Sequence, residues 1–178
     1  WVVDCMKRGS KLIVVDPRLT WLAAKADLWL QIRPGTDSML ALSMGKYIME
    51  NDLYDHEFVE KWCYGFEEYE KACEPYNLDW ASEVTWLDKE DIIAAAKYMS
   101  EKPTAVQWGL AIDMNLQCVT ASQALCNLWC ITGQIDIPGG MITVHDPYNT
   151  EVWLPPDPRE VFTPEQEKER IGSNYEMI

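Results

Sequence analysis

Two short apolar runs, residues 12–15 (LIVV) and 28–32 (LWLQI), sit close together in the segment KLIVVDPRLTWLAAKADLWLQIRPGTD, residues 11–37. Each ends in a polar loop containing an acidic residue and a proline. A continuous apolar run rich in Val and Ile fits a strand buried on both faces of a parallel sheet, and the interval between the runs has room for two or three helical turns. Strand, short crossover helix, strand is the smallest parallel unit, and ligands of such sheets sit at the carboxyl ends of the strands. The loops Asp16-Pro17-Arg18-Leu19-Thr20 and Arg33-Pro34-Gly35-Thr36-Asp37 therefore open on one edge. The fold class is α/β, and Asp16 and Asp37 are the first candidates for a binding role.

Helices follow. Thr36 or Asp37 caps the first, with Leu40, Met44, Tyr47 and Ile48 as its apolar stripe. Asp55 starts another, carrying Phe58, Val59 and Trp62 and stopped by Gly65, and residues 66–73 add a further turn or two. Residues 80–84 form a short helix under Asp79. Asp88 then caps a longer one, with Asp91 at the capping-box position and Ile92, Ala95, Ala96 and Met99 inward. After Lys102-Pro103 the pattern changes. Residues 104–108 read as a strand running into Gly109, 110–117 as a loop, and 119–131 as a nearly all-apolar, hence buried, helix stopped by Gly133. Pro138-Gly139-Gly140 gives a backbone that another segment or a ligand can approach closely. Residues 143–178 are an irregular, acidic, proline-rich tail with one helix start at Thr163-Pro164-Glu165-Gln166. The expected division is 1–102, the C-terminal part of a mononucleotide-binding domain with a helical extension; 103–142, a strand-loop-helix of a neighbouring α/β domain; and the tail. Val2, Val3 and Met6 share one face of a helix ending near Gly9, and an opening in mid-helix suggests a piece of a longer protein.

A formal charge of −14 argues against a nucleic-acid partner, because phosphate-backbone binding needs clustered Lys and Arg. No apolar run is long enough for a membrane span. The six cysteines, at 5, 63, 73, 118, 126 and 130, form no CxxC pair and are expected to be buried free thiols rather than metal ligands. His56 is expected in solvent, His145 lies in the tail, and no residue pattern reads as catalytic.

For Asp16, two readings compete. A strand-end carboxylate can accept hydrogen bonds from ribose hydroxyls, with Arg18 and Thr20 near enough in sequence for phosphate; alternatively Asp16-Pro17 is a turn leaving the strand. Asp37 poses the same question. Its two adjacent acceptor oxygens match the two adjacent donors on a guanine edge, whereas the plain alternative is a helix N-cap. Neither loop is a GxGxxG or GxxxxGK[ST] phosphate cradle.

Taken together, KLIVVDPRLTWLAAKADLWLQIRPGTD and its following helix, LYDHEFVEKWCYGFEE, WASEVTWLDKEDIIAAAKYMSEKPTAVQWG and NLWCITGQIDIPGG resemble, in order, the molybdopterin oxidoreductases, the family of DMSO reductase and the formate dehydrogenases. The resemblance implies a Rossmann-like parallel sheet with flanking helices, incomplete within this chain. It implies molybdopterin guanine dinucleotide with molybdenum or tungsten as cofactor, whose guanosine is contacted by Asp16, Pro17, Arg18, Leu19, Thr20, Gly35, Thr36 and Asp37. The family loop that approaches the pterin falls on residues 109–115, where the usual Met is Leu110 and the usual Gln-His is Met114-Asn115; Leu110 and Met114 are its backbone candidates. Neither the family's cysteine motif for an iron–sulfur cluster nor its metal ligand has a counterpart, so the cluster is expected only in an N-terminal part beyond this chain. The implied partners are the remainder of the same catalytic subunit, an iron–sulfur electron-transfer subunit, and a second copy of the chain through exposed apolar surface. The full protein would carry out two-electron redox chemistry. A stand-alone mononucleotide module and a purely structural interaction domain are the alternatives.

Overall fold

The computed structural model describes residues 1–142 and 162–169. Strands β1 (Ile13–Val15) and β2 (Leu28–Leu30) pair in parallel, with Ile13 opposite Leu28, Val14 opposite Trp29 and Val15 opposite Leu30. The ladder continues past both ends: Asp27 N–H donates to the Leu12 carbonyl at 2.8 Å and Asp16 N–H to the Leu30 carbonyl at 3.1 Å. Between the strands there is a single 3₁₀ turn, Ala23–Lys25, not two or three helical turns. The reason is local. Asp16 Oδ1 accepts from Arg18 N–H at 2.8 Å and Thr20 Oγ1 from Ala23 N–H at 3.1 Å, side-chain bonds that compete with a helix. Asp27, which the apolar pattern does not single out, ties the strand starts together: its carboxylate accepts from Leu12 N–H and from Lys11 Nζ, each at 2.9 Å. The Lys11 contact holds the Asp27 carboxyl below the usual carboxylate range.

Eight helices belong to the same compact unit, Trp1–Thr143: α1 (Val2–Lys7), α2 (Asp37–Glu50), α3 (His56–Trp62), α4 (Phe66–Cys73), α5 (Leu78–Thr85), α6 (Lys89–Ser100), α7 (Leu110–Asp113) and α8 (Cys118–Ile131). The central one is α2, against which α4, α5, α6 and α8 pack. Leu40, Ala41, Met44, Ile48 and Met49 of α2 meet Leu30 and Ile32 from the sheet edge, Ile92, Ala95, Ala96 and Met99 of α6, and Leu128 and Ile131 of α8. The stripe read from the sequence is thus the core, apart from Tyr47, which is half-buried at its margin.

Three readings are corrected. Residues 104–108 form no strand. A strand needs a neighbour for its ladder, and no other strand among the described residues pairs with this stretch. Its groups find other partners: Thr104 N–H donates to Gln134 Oε1 at 2.8 Å, and the Thr104 hydroxyl donates toward the Glu101 and Tyr98 carbonyls at 2.6 and 3.0 Å. Helix α8 is only partly covered: Ala121, Ala124, Leu128 and Ile131 are buried, while Val119 stands in solvent. Helix α5 is capped by Asn77, whose Oδ1 accepts from Trp80 N–H at 2.9 Å, so Asp79 lies inside it; Asp88 holds the N-cap position of α6 without a side-chain cap bond.

Gln134 is the polar hub of this unit. It is fully buried, and besides Thr104 N–H it engages the Met99 and Glu101 carbonyls, both at 3.2 Å from its Nε2. The Pro138-Gly139-Gly140 turn closes beside it: Gly139, at φ +83°, faces Pro103, and Gly140 packs on the Gln134 backbone with no room for a Cβ.

Asp55 joins α3 to the end of α8. Its side chain caps α3 by accepting from Phe58 N–H at 2.8 Å and pairs with Lys102, and its own N–H donates to the Ile131 carbonyl at 2.7 Å. Gly133, at φ +61°, ends α8 directly against this pair, and a side chain there would strike it. Lys102, then the Phe58 amide, hold the Asp55 carboxyl below the usual range. A lowered folded-state pKa adds stability above the unfolded value of 3.8, lost as pH falls through the folded value. Asp55→Ala should therefore cost about 1–2 kcal/mol at pH 7, mostly the lost cap, since an exposed ion pair adds little. In urea titrations repeated at decreasing pH, the difference between the two proteins should shrink below pH 4. A gap unchanged by acid would assign the loss to packing.

The second compact unit, Val144–Ile178, contains α9 (Pro164–Glu169). Thr163 N–H donates to Gln166 Oε1 at 2.9 Å and Gln166 N–H to Thr163 Oγ1 at 3.3 Å, a reciprocal capping box where the helix start was read. The remaining tail, including His145, lies outside the described residues.

Candidate functional site

The loops after β1 and β2 leave neighbouring strands at the same edge, as parallel pairing requires. The first borders an open hollow of about 540 Å³ lined by Val14, Asp16, Arg18, Leu19, Thr20, Trp21 and Leu22. Side chains in and just after the second strand brace it: Trp29 Nε1 donates to the Asp16 carbonyl at 2.9 Å, and Gln31 Nε2 to the Pro17 carbonyl at 3.2 Å. One carboxylate oxygen of Asp16 closes the turn to Arg18; the other has no partner among the described residues. Arg18 is exposed and, among those residues, makes no ion pair. Trp21, which no motif marks, lines this hollow and is 64% exposed.

The second loop turns at Gly35, at φ +81°. Thr36 occupies the N-cap position of α2, but its hydroxyl points back, donating to the Arg33 carbonyl at 2.7 Å. Asp37 is then the first helical residue, not the cap. Its half-buried carboxylate is opposed only by its own backbone amide, and burial raises its pKa. A carboxylate in that setting has unused acceptor capacity. Arg33 N–H donates to the Thr85 carbonyl at 2.9 Å, and the Arg33 guanidinium lies 5.2 Å over the exposed Trp86 ring.

The third predicted loop reaches the same end of α2. The Ser38 hydroxyl, in the first turn of α2, donates to Gln117 Oε1 at 2.8 Å, and Gln117 is the N-cap residue of α8. Leu110 opens α7 and Met114 is its C-cap residue, just before α8, and neither lines the hollow at β1. Like Leu116 and Val119 nearby in the chain, they are apolar side chains exposed to solvent.

All six cysteines are free, though only Cys73 is fully buried. Burial raises the pKa of Cys63, Cys73, Cys126 and Cys130, so these thiols stay protonated. No group of three or more metal-ligating side chains occurs among the described residues. His56, exposed, lies 2.7 Å from Asp52 Oδ1.

The family model for molybdopterin oxidoreductases matches residues 4–151. The chain belongs to that family. It is 44% identical over 129 residues to the acetylene hydratase of Syntrophotalea acetylenica, covering 72% of this chain and 18% of the relative. It is 33% identical over 138 residues to formate dehydrogenase H of Escherichia coli, covering 77% and 19%. The solved structure of acetylene hydratase from Pelobacter acetylenicus superposes with a TM-score of 0.73 at 42% identity, over 75% of this chain and 18% of that one. This molybdopterin oxidoreductase chain thus spans about a fifth of the length of these relatives. Membership implies a pterin cofactor carrying molybdenum or tungsten.

Proposed function

We propose that this chain is the part of a molybdopterin oxidoreductase catalytic subunit that holds the guanosine end of a molybdopterin guanine dinucleotide. The observation that carries this reading is Asp37: a half-buried carboxylate at the edge where both strand loops open, freed from capping and without a side-chain partner. Two adjacent carboxylate oxygens complement the two adjacent donors of a guanine edge. Asp16, with one oxygen uncommitted beside the hollow, suits a ribose hydroxyl, and Arg18, without an ion pair, suits a phosphate. Pro17, Leu19, Thr20, Gly35 and Thr36 complete the two loops. Leu110 and Met114, tied to this end of α2 through Gln117 and Ser38, suit backbone contacts nearer the pterin. When bound, the metal–pterin group supplies the two-electron redox chemistry of the full protein, and this chain's share is to bind and orient it. The exposed apolar side chains of Leu110, Met114, Leu116 and Val119 are then covered by the remainder of the same subunit.

Acid extraction of the full-length protein should release a pterin nucleotide containing guanine, together with molybdenum or tungsten. Guanine nucleotide binding without pterin or metal would instead leave a stand-alone nucleotide module, and neither would leave a structural domain. The isolated chain should self-associate through its uncovered apolar surface, and Leu116→Lys should abolish this. A monomeric unsubstituted chain counts against that covering.

A further inference from the structure

We infer that Trp21 supplies the stacking face for the purine base held at this edge; the inference rests on the guanosine reading above. Four observations support it. Trp21 is 64% exposed, although large aromatic side chains are ordinarily core or interface mass. It lies on the wall of the open hollow with Asp16, Arg18 and Thr20, so an aromatic, an acidic, a basic and a hydroxyl-bearing residue border one space. Its indole makes no hydrogen bond, aromatic-ring contact or cation–π contact among the described residues. Finally, the wall is held still. The Thr20 carbonyl accepts from Ala24 N–H at 2.9 Å, and the loop is braced by Trp29 and Gln31.

This divides the work between two loops. Every base has a π-face, so stacking is indifferent to which base is bound. The loop after β1 therefore grips any purine nucleotide, and the choice of guanine falls to Asp37. A flat ring also explains how so open a hollow can hold a nucleoside: it offers contact area without enclosure and loses little conformational entropy, having two side-chain torsions.

The test is equilibrium binding of guanosine and adenosine 5′-monophosphates to the full-length protein freed of its cofactor, by calorimetry. Trp21→Ala should weaken both nucleotides by the same factor, roughly 5- to 150-fold. The preference for guanine and the Tm of the nucleotide-free protein should stay as they were. Trp21→Phe should recover most of the affinity, which a merely structural role would not require. Asp37→Asn should do the converse, erasing the preference by weakening guanosine binding. Guanosine affinity unchanged in Trp21→Ala overturns the stacking role and leaves the guanosine site standing. A drop in the nucleotide-free Tm that accounts for the lost binding also overturns it. Failure of the unsubstituted protein to bind either nucleotide overturns both.

Discussion

Replacing Gln134 by leucine is expected to destabilise the cofactor-free protein by about 3–5 kcal/mol, the largest loss from any single substitution considered. Gln134 is fully buried and its amide is used at both ends, Oε1 by Thr104 N–H and Nε2 by the Met99 and Glu101 carbonyls. Leucine fills a similar volume, so little of the effect is a cavity. The loss comes from polar groups at the end of α6 and the start of the 104–108 segment, left away from water without partners. For a chain of this size the Tm should fall by roughly 6–20 °C. Gln134→Glu separates the two ends of the amide. It keeps the acceptor for Thr104 but turns a second oxygen toward two carbonyls, so the carboxyl is favoured protonated. Its deficit should then grow as pH rises out of the acid range, whereas that of Gln134→Leu stays flat. A shift of less than 1 kcal/mol for Gln134→Leu would mean that water replaces the amide.

Asp37→Asn is expected to strip the full-length protein of cofactor while leaving its cofactor-free fold intact. Asparagine puts an amide donor where guanine presents a donor. The lost charge-assisted bond and the new mismatch together cost about 2–4 kcal/mol of cofactor binding, roughly 30- to 900-fold in affinity. The effect on the fold has the opposite sign. Burial raises the folded-state pKa above the unfolded value of 3.8, so the charged carboxylate burdens the fold above the folded pKa and not below 3.8. Asparagine lifts that burden, and the cofactor-free variant should equal or exceed the unsubstituted protein in Tm at pH 7, its advantage vanishing on acidification. The comparison must be made without cofactor, because bound cofactor itself stabilises the fold. Undiminished pterin and metal content in Asp37→Asn would remove Asp37 from the site.

The surface left by α7 and α8 illustrates why an all-apolar helix is an ambiguous signal. Composition says that residues 118–131 avoid water somewhere: Ala121, Ala124, Leu128 and Ile131 are buried, the last three in the core cluster with α2. Val119 at the other side is not. Burial of that side depends on what lies opposite, which no local pattern encodes.

What the sequence determined alone was whatever rests on neighbours a few residues away. Short apolar runs, β-branched in β1, set β1 and β2, Asp55 and Thr163 begin helices because their side chains reach amides one turn on, and the periodic apolar stripe of α2 turns one face inward. The loops holding Asp16 and Asp37 could be placed on one edge because parallel pairing leaves no other arrangement. Only the tertiary structure decided the rest. Residues 104–108 have strand composition but no strand neighbour among the described residues, and a glutamine thirty positions away takes their first hydrogen bond. Asp37 looked equally suited to capping, until the backbone put Thr36 at the cap position and left the carboxylate half-buried beyond it. Trp21 carries no signal in the chain, since an aromatic residue reads as core until the fold shows it mostly exposed. Hydrogen bonds between distant segments and the exposure of a single ring depend on how elements pack, and packing is a property of the whole chain.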